Sequence, residues 1–142
     1  MAMTRPLIVK GKDAPLHKLH GDGRIRRLIY PATVGSEKLF IGVAEVEPGE
    51  APHVFHKHEK EKIGKLELEY DSDFEEFYYV VAGSGSMQWK TDDETLHERA
   101  VVAGDAIYMP PGVCEHRIFN SGGTRLTVLY GGAPPARITE ID

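Results

Sequence analysis

The apolar residues of this chain come in short runs, each the length of one strand and each closed by a turn signal. KLFIGVAEV (38–46) ends at Glu47-Pro48-Gly49, and EFYYVVAG (76–83) runs into Gly83-Ser84-Gly85. SMQWK (86–90), HERAVVAGD (97–105), AIYMP (106–110), HRIFN (116–120) and TRLTVLYGG (124–132) follow the same plan. These runs are rich in Val, Ile, Tyr and Phe, which suit a pleated, half-buried surface. No window carries a long, capped helical period. The best helical candidate, EKEKIGKLELE (59–69), is highly charged and poorly patterned. Many short strands without helices predict an all-β protein, a sandwich or a barrel.

With 142 residues the chain has material for one compact domain. A single cysteine, Cys114, rules out an internal disulfide and points to a reducing, cytoplasmic setting. The start, MAMTRPLIVKGKDAP, has no apolar run long enough for a signal peptide. No stretch approaches the ~20 apolar residues of a membrane helix, so no membrane partner is expected. The net charge of −5 is concentrated in residues 59–76, which hold three lysines and eight carboxylates. A nucleic-acid binder needs a basic face instead. RIRR (24–27), the only basic cluster, sits among Ile25, Leu28 and Ile29 and reads as a strand with one solvated side. The expected organisation is an arm or edge strand over 1–24 and a β-barrel domain over 25–132. That domain carries an acidic insertion at about 59–75. A Pro-rich tail over 133–142 lies across a partner subunit or extends into solvent.

The stretch PHVFHKH (52–58) holds three of the seven histidines. On a strand, His56 and His58 point to one face, with Lys57 turned away. Two such imidazoles can share one cation at about 2.1 Å each. His53 has the opposite parity and follows Pro52, so it lines a mouth or faces solvent. A polar strand end explains H-x-H equally well when nothing else accompanies it. Here other residues do. Gly49 precedes His56 by seven positions, and Glu76 precedes Gly83 by seven. Gly104 is followed by Pro110, Gly112, His116 and Asn120.

Together these positions resemble the two motifs of the cupin family, G-x5-H-x-H-x3,4-E-x6-G and G-x5-P-x-G-x2-H-x3-N, over about residues 38–130. Two departures stand out. The pattern expects three or four residues between the second His and the Glu, whereas His58 and Glu76 enclose 17. Counting forward from His58 reaches Lys62 or Ile63, which bind no metal. Counting back from Gly83 reaches Glu76. Strand registers are stiff and loops absorb insertions, so residues 60–75 read as an inserted loop or hairpin. Glu75 should point the other way, and a register error of one residue would exchange the two. Between Gly112 and His116 stand three residues, Val113-Cys114-Glu115, in place of two. The extra residue is placed in the turn, with Cys114 or Glu115 left open as a substitute ligand.

The resemblance implies a double-stranded β-helix, the jelly-roll barrel of small single-domain cupins of the cupin 2, RmlC-like type. It implies His56, His58, Glu76 and His116 as ligands of one divalent transition metal per chain (Fe, Mn, Ni, Co or Zn), and a homodimer. Tyr78 shares the face of Glu76. Its E-x-Y element is similar to that of small cupin lyases that cleave dimethylsulfoniopropionate, which implies a catalytic tyrosine acting as base or hydrogen-bond donor. A core aromatic is the alternative reading of Tyr78. His53, Trp89 and Tyr108 are the candidate substrate-binding residues, and the insertion is a lid or a plain extension. The expected activity is that of a metal-dependent lyase or isomerase on a small polar metabolite, with a Lewis-acid metal and a general base. An Fe(II) dioxygenase and a non-enzymatic ligand-binding cupin are the alternatives.

Overall fold

The structure, a computed structural model, describes residues 4–18, 22–63 and 65–140. Residues 1–3 and 19–21 of the expected arm and 141–142 of the tail lie outside the described residues. The strands are β1 (Leu16–Lys18), β2 (Arg24–Ile29), β3 (Phe40–Val46), β4 (Glu61–Ile63), β5 (Leu66–Glu69) and β6 (Glu75–Ala82). They continue with β7 (Ser84–Lys90), β8 (Leu96–Val102), β9 (Ala106–Met109), β10 (Glu115–Phe119), β11 (Leu126–Ala133) and β12 (Arg137–Glu140). A single helical turn, α1 (Pro31–Val34), follows β2.

Six strands form one sheet in the order β1-β2-β3-β11-β6-β9, and three form a second in the order β10-β7-β8. The late strand β11 lies between β3 and β6, so chain ends and middle interleave as in a jelly roll. Period-2 patterning decides which side faces inward. β3 buries Phe40, Gly42, Ala44 and Val46 and leaves Ile41, Val43 and Glu45 half-exposed. Ala44, Val46, Tyr78, Val80, Leu126 and Val128 of the large sheet pack with Met87 and Ile118 of the small one. The basic run 24–27 is β2, and Arg24 is paired to Glu45 at 3.1 Å. Arg26 also faces Glu45, at 3.9 Å.

The insertion is a hairpin, one of its two expected forms, and the tail joins it. Residues 59–69, the best helical candidate, instead contribute β4 and β5, a hairpin. The tail runs back along the insertion, with its outer side exposed. Its strand β12 pairs antiparallel with β5, from Arg137↔Glu69 to Glu140↔Leu66, completing a third sheet β12-β5-β4. Arg137 fixes the join, at 2.7 Å from Asp71 and 3.3 Å from Glu69. The two elements without an obvious place in the barrel therefore pair with each other.

Two motif residues owe their identity to backbone demands. Gly83 ends β6 with φ at 83°, and a Cβ there would strike the carbonyl of Arg125. Asn120 is fully buried. Its Nδ2 donates to the carbonyls of Val46 (2.8 Å) and Thr124 (2.9 Å), and its Oδ1 accepts from Gly122 N–H (2.9 Å). One side chain thus ties β3, β10 and the turn before β11. Asn120→Ala strands these backbone groups, each worth roughly 1–3 kcal/mol when buried and unsatisfied. Urea unfolding should show a loss of about 3 kcal/mol.

Candidate metal centre

His56 lies outside a regular strand but is not loosely held. Its N–H donates to His116 O (3.2 Å) and His116 N–H donates back to His56 O (3.0 Å), an isolated antiparallel bridge. Directly opposed residues present their side chains to one face. The two imidazoles accordingly lie with ring centroids 4.5 Å apart. Glu76 enters from β6 of the opposite sheet, and His58 lies between them. Its Nε2 is 3.2 Å from Glu76 Oε1.

His56, His58, Glu76 and His116 each offer one donor atom, and these four atoms all lie within 4.8 Å of one another. The geometry selects Glu76 over its neighbour, because Glu75 is exposed and Tyr108 bonds to it instead. Cys114 and Glu115 are not in the group. Cys114 contributes through its backbone, since His116 Nδ1–H donates to its carbonyl at 2.9 Å. His56 Nδ1–H likewise donates to the carbonyl of Val54 at 2.8 Å. A carbonyl can only accept, so both rings carry their proton on Nδ1 and keep the Nε2 lone pair for the centre.

Burial prepares the ligands further. The His58 side chain is 4% exposed, that of Glu76 11%, and His116 as a residue 1%. Burial, reinforced by His53 and His116, pushes the pKa of His56 down to about 3. Burial also holds His116 below the ordinary histidine value. Both are therefore neutral imidazoles, the form that binds a cation. Among the described residues, His116 Nε2 is buried without a hydrogen-bond partner, and His58 Nε2 and Glu76 Oε1, 3.2 Å apart, form no well-aligned bond to each other or to any other group. Stranded polar atoms of this kind cost free energy, and one divalent cation satisfies all three. The residues fit the metal that the motif implies. Three imidazoles and a carboxylate suit several first-row ions alike.

Two aromatic residues that the sequence reading passed over hold the centre in place. Phe74 is 1% exposed and stacks on His58, with centroids 4.7 Å apart and planes at 9°. Tyr70 lies against both, 5.3 Å from His58 and 4.7 Å from Phe74. Both residues stand on the segment that leads from the insertion hairpin back to Glu76. Phe74 shares the parity of Glu76, and that was the available signal. Beyond it, Phe40 meets Phe74 edge-on at 5.9 Å, and the Tyr30 and Tyr130 hydroxyls bond at 2.8 Å. Burial raises the pKa of Tyr30 to about 12, and burial likewise pushes the Tyr130 phenol upward.

The remaining candidates divide. Tyr78 is buried on the face of Glu76 and belongs to the core. Burial, then the Glu76 carboxylate, hold its phenol well above 10, so it stays protonated at neutral pH. His53 lies against His56, ring centroids 4.2 Å apart. Trp89 stands directly opposite His116 in the β7–β10 register, on the same inner face. The structure does not bring Tyr108 to the centre. It pairs with Phe77 on the outer face and is 61% exposed.

The chain has the cupin fold, and it belongs to one family with two Streptomyces proteins. It is 30% identical over 136 residues to polyketide synthase CurC of Streptomyces cyaneus, covering 96% of this chain and 75% of that protein. Against protein SchB of Streptomyces halstedii the identity is again 30% over 136 residues, with 96% and 83% covered. Among solved structures it is similar to a cupin 2 conserved barrel domain protein from Salinispora arenicola (TM-score 0.57, 20% identity, 93% of this chain and 88% of that one). It is also similar to the polyketide cyclase RemF of Streptomyces resistomycificus (TM-score 0.62, 22% identity, 99% and 88%). No protein-family model matches the chain.

His56→Ala and Glu76→Ala should each lower bound divalent metal from about one ion per chain to near none, measured by elemental analysis of protein carrying no histidine tag. The chelated protein should also weaken in acid. The native His56 pKa lies below its unfolded value of about 6.5, so the unfolded chain takes up a proton that the native chain refuses. The urea midpoint of metal-free protein should therefore fall as pH is lowered from 7.5 to 5.

Proposed function

We propose that this protein is a metal-dependent cupin cyclase that closes a ring in a polyketide-type substrate, a carbon chain bearing alternating ketones. The observation that carries this reading is the His56, His58, Glu76, His116 centre with its stranded donor atoms, set beside the aromatic side chains of Phe40, Phe74 and Tyr130. Kinship with CurC and the fold shared with RemF, a polyketide cyclase by name, support the substrate class.

Ring closure of this kind is an aldol addition. A carbon between two carbonyls loses its proton and forms a C–C bond to a ketone carbon of the same chain. The ketone oxygen gains that proton, and loss of water follows where the ring becomes aromatic. No oxidant is consumed, so the chemistry stays within the isomerase and lyase classes. A bound divalent cation supplies Lewis-acid polarisation of a substrate oxygen.

The chain's own residues supply the rest. Tyr78, protonated and buried beside Glu76, donates a hydrogen bond to the oxygen that gains charge. That role leaves the proton acceptor to His53, at the entrance beside His56. Phe74 and Phe40, both buried, exclude water from that side of the centre.

The test is a metal-reconstituted reaction with a linear triketo ester, run with and without oxygen and analysed by mass. The expected product is a ring-closed isomer or its dehydrated form, made at equal rates in both atmospheres. A product carrying oxygen from O₂, or turnover that stops under anaerobiosis, overturns the reading in favour of a dioxygenase. Tyr78→Phe should lower kcat about 100-fold while retaining the metal, in line with the loss of one proton-handling group.

A further inference from the structure

The inner face of the small sheet does not end at the metal ligands. His116 on β10 stands opposite Trp89 on β7, and Trp89 stands opposite His97 on β8. The indole and the His97 imidazole stack with centroids 5.7 Å apart and planes at 14°. Two residues along β8 comes Arg99, opposite Met87. Directly opposed residues share a face, so Arg99 stands on the same face as Met87, Val101 and Ile118, all buried core residues.

Arg99 and His97 are nevertheless exposed. The cause is topological. β8 is the free edge of the small sheet and β9 the free edge of the large one, and the two do not pair. The barrel is therefore open beside β8, with a cation on an inward-parity position at the opening. A guanidinium there is unusual, because inward positions of a small barrel are normally apolar. Among the described residues it makes no ion pair. The adjacent carboxylate, Glu98, points to the opposite face and is held by Ser86 and Gln88.

We propose that Arg99, with Trp89 and His97, forms a subsite for the carboxylate end of an extended substrate whose ketones reach the metal centre. This rests on the cyclase reading and adds the class of substrate terminus. Arg99 supplies a planar two-donor fork suited to a carboxylate, and Trp89 supplies the flat surface between fork and centre. The spacing sets a ruler. Two interstrand steps of ~4.8 Å separate β8 from β10, so Arg99 lies roughly 10 Å or more from His116. A two-carbon acid cannot bridge that distance, and a chain of several ketide units can. Arg99 thereby fixes which ketones lie at the centre, and so which ring closes.

Trp89 is the only tryptophan in the chain, so its emission reports occupancy of this face. The experiment titrates metal-loaded protein with a linear diketo acid and separately with its methyl ester, following Trp89 emission and heat of binding. Both ligands carry the same ketones, so any difference belongs to the carboxylate. The acid should bind at least 10-fold tighter than the ester, and Arg99→Gln should abolish that difference while leaving ester affinity unchanged. Arg99→Lys should restore part of it. Arg99 is exposed, and a thermal melt matching the wild type verifies that each variant is folded. Equal affinity for acid and ester in the wild type, or an acid preference that survives Arg99→Gln, overturns the subsite. These readouts require no turnover, so the subsite can stand if cyclisation fails, and can fall if cyclisation succeeds.

Discussion

Everything at this site depends on the pair of backbone hydrogen bonds between His56 and His116. The segment carrying His56 and His58 is irregular, and an irregular segment has no ladder to fix its side chains. The bridge supplies one rung. It anchors the segment to β10, aligns two imidazoles on one face, and lets β10 transmit the rigidity of the small sheet. Each ring is then oriented by a carbonyl two residues upstream, of Val54 and of Cys114. The same local device serves both ligands. It needs only a main chain that turns back on its own imidazole, and both histidines follow a Pro-containing turn.

Glu76 reaches the centre by a different route. It sits on β6, inside the large sheet between β11 and β9. The centre therefore brings the two sheets together, and a cation bound there would tie them. Phe74 and Tyr70 brace it from the side of the insertion, and the stacked Phe74–His58 pair fills the space that a shorter connection would leave to solvent.

Much of this was legible in the sequence because strands have a period of two and little tolerance for slippage. The runs at 38–46, 76–83 and 124–132 became β3, β6 and β11 with their inner faces as the alternation required. Glu76 could be located from Gly83 because the intervening strand is rigid, whereas the loop before it is not. A hairpin at 61–69 was one of the two readings of the insertion, but its pairing with the tail was not legible. Its strands are short and highly charged, so hydrophobic alternation is faint, and β5 pairs with residues 137–140, some seventy positions away. The Tyr30–Tyr130 contact was hidden for the same reason, being separated by 100 residues and set by the β2–β3–β11 register. Tyr108 misled because its neighbour Met109 is the inward residue, and one step along a strand reverses direction.

The pairing of β12 with β5 has a practical corollary. Strand β12 is hydrogen-bonded to the same hairpin that leads, through Tyr70 and Phe74, to His58. β12 is thereby mechanically linked to the centre, a short lever with the site at its other end. A fusion partner or affinity tag attached there pulls on a ligand's support, whereas one attached at the amino terminus joins an arm whose residues 4–8 are exposed. The choice of which end to extend is thus, for this fold, a choice about the metal.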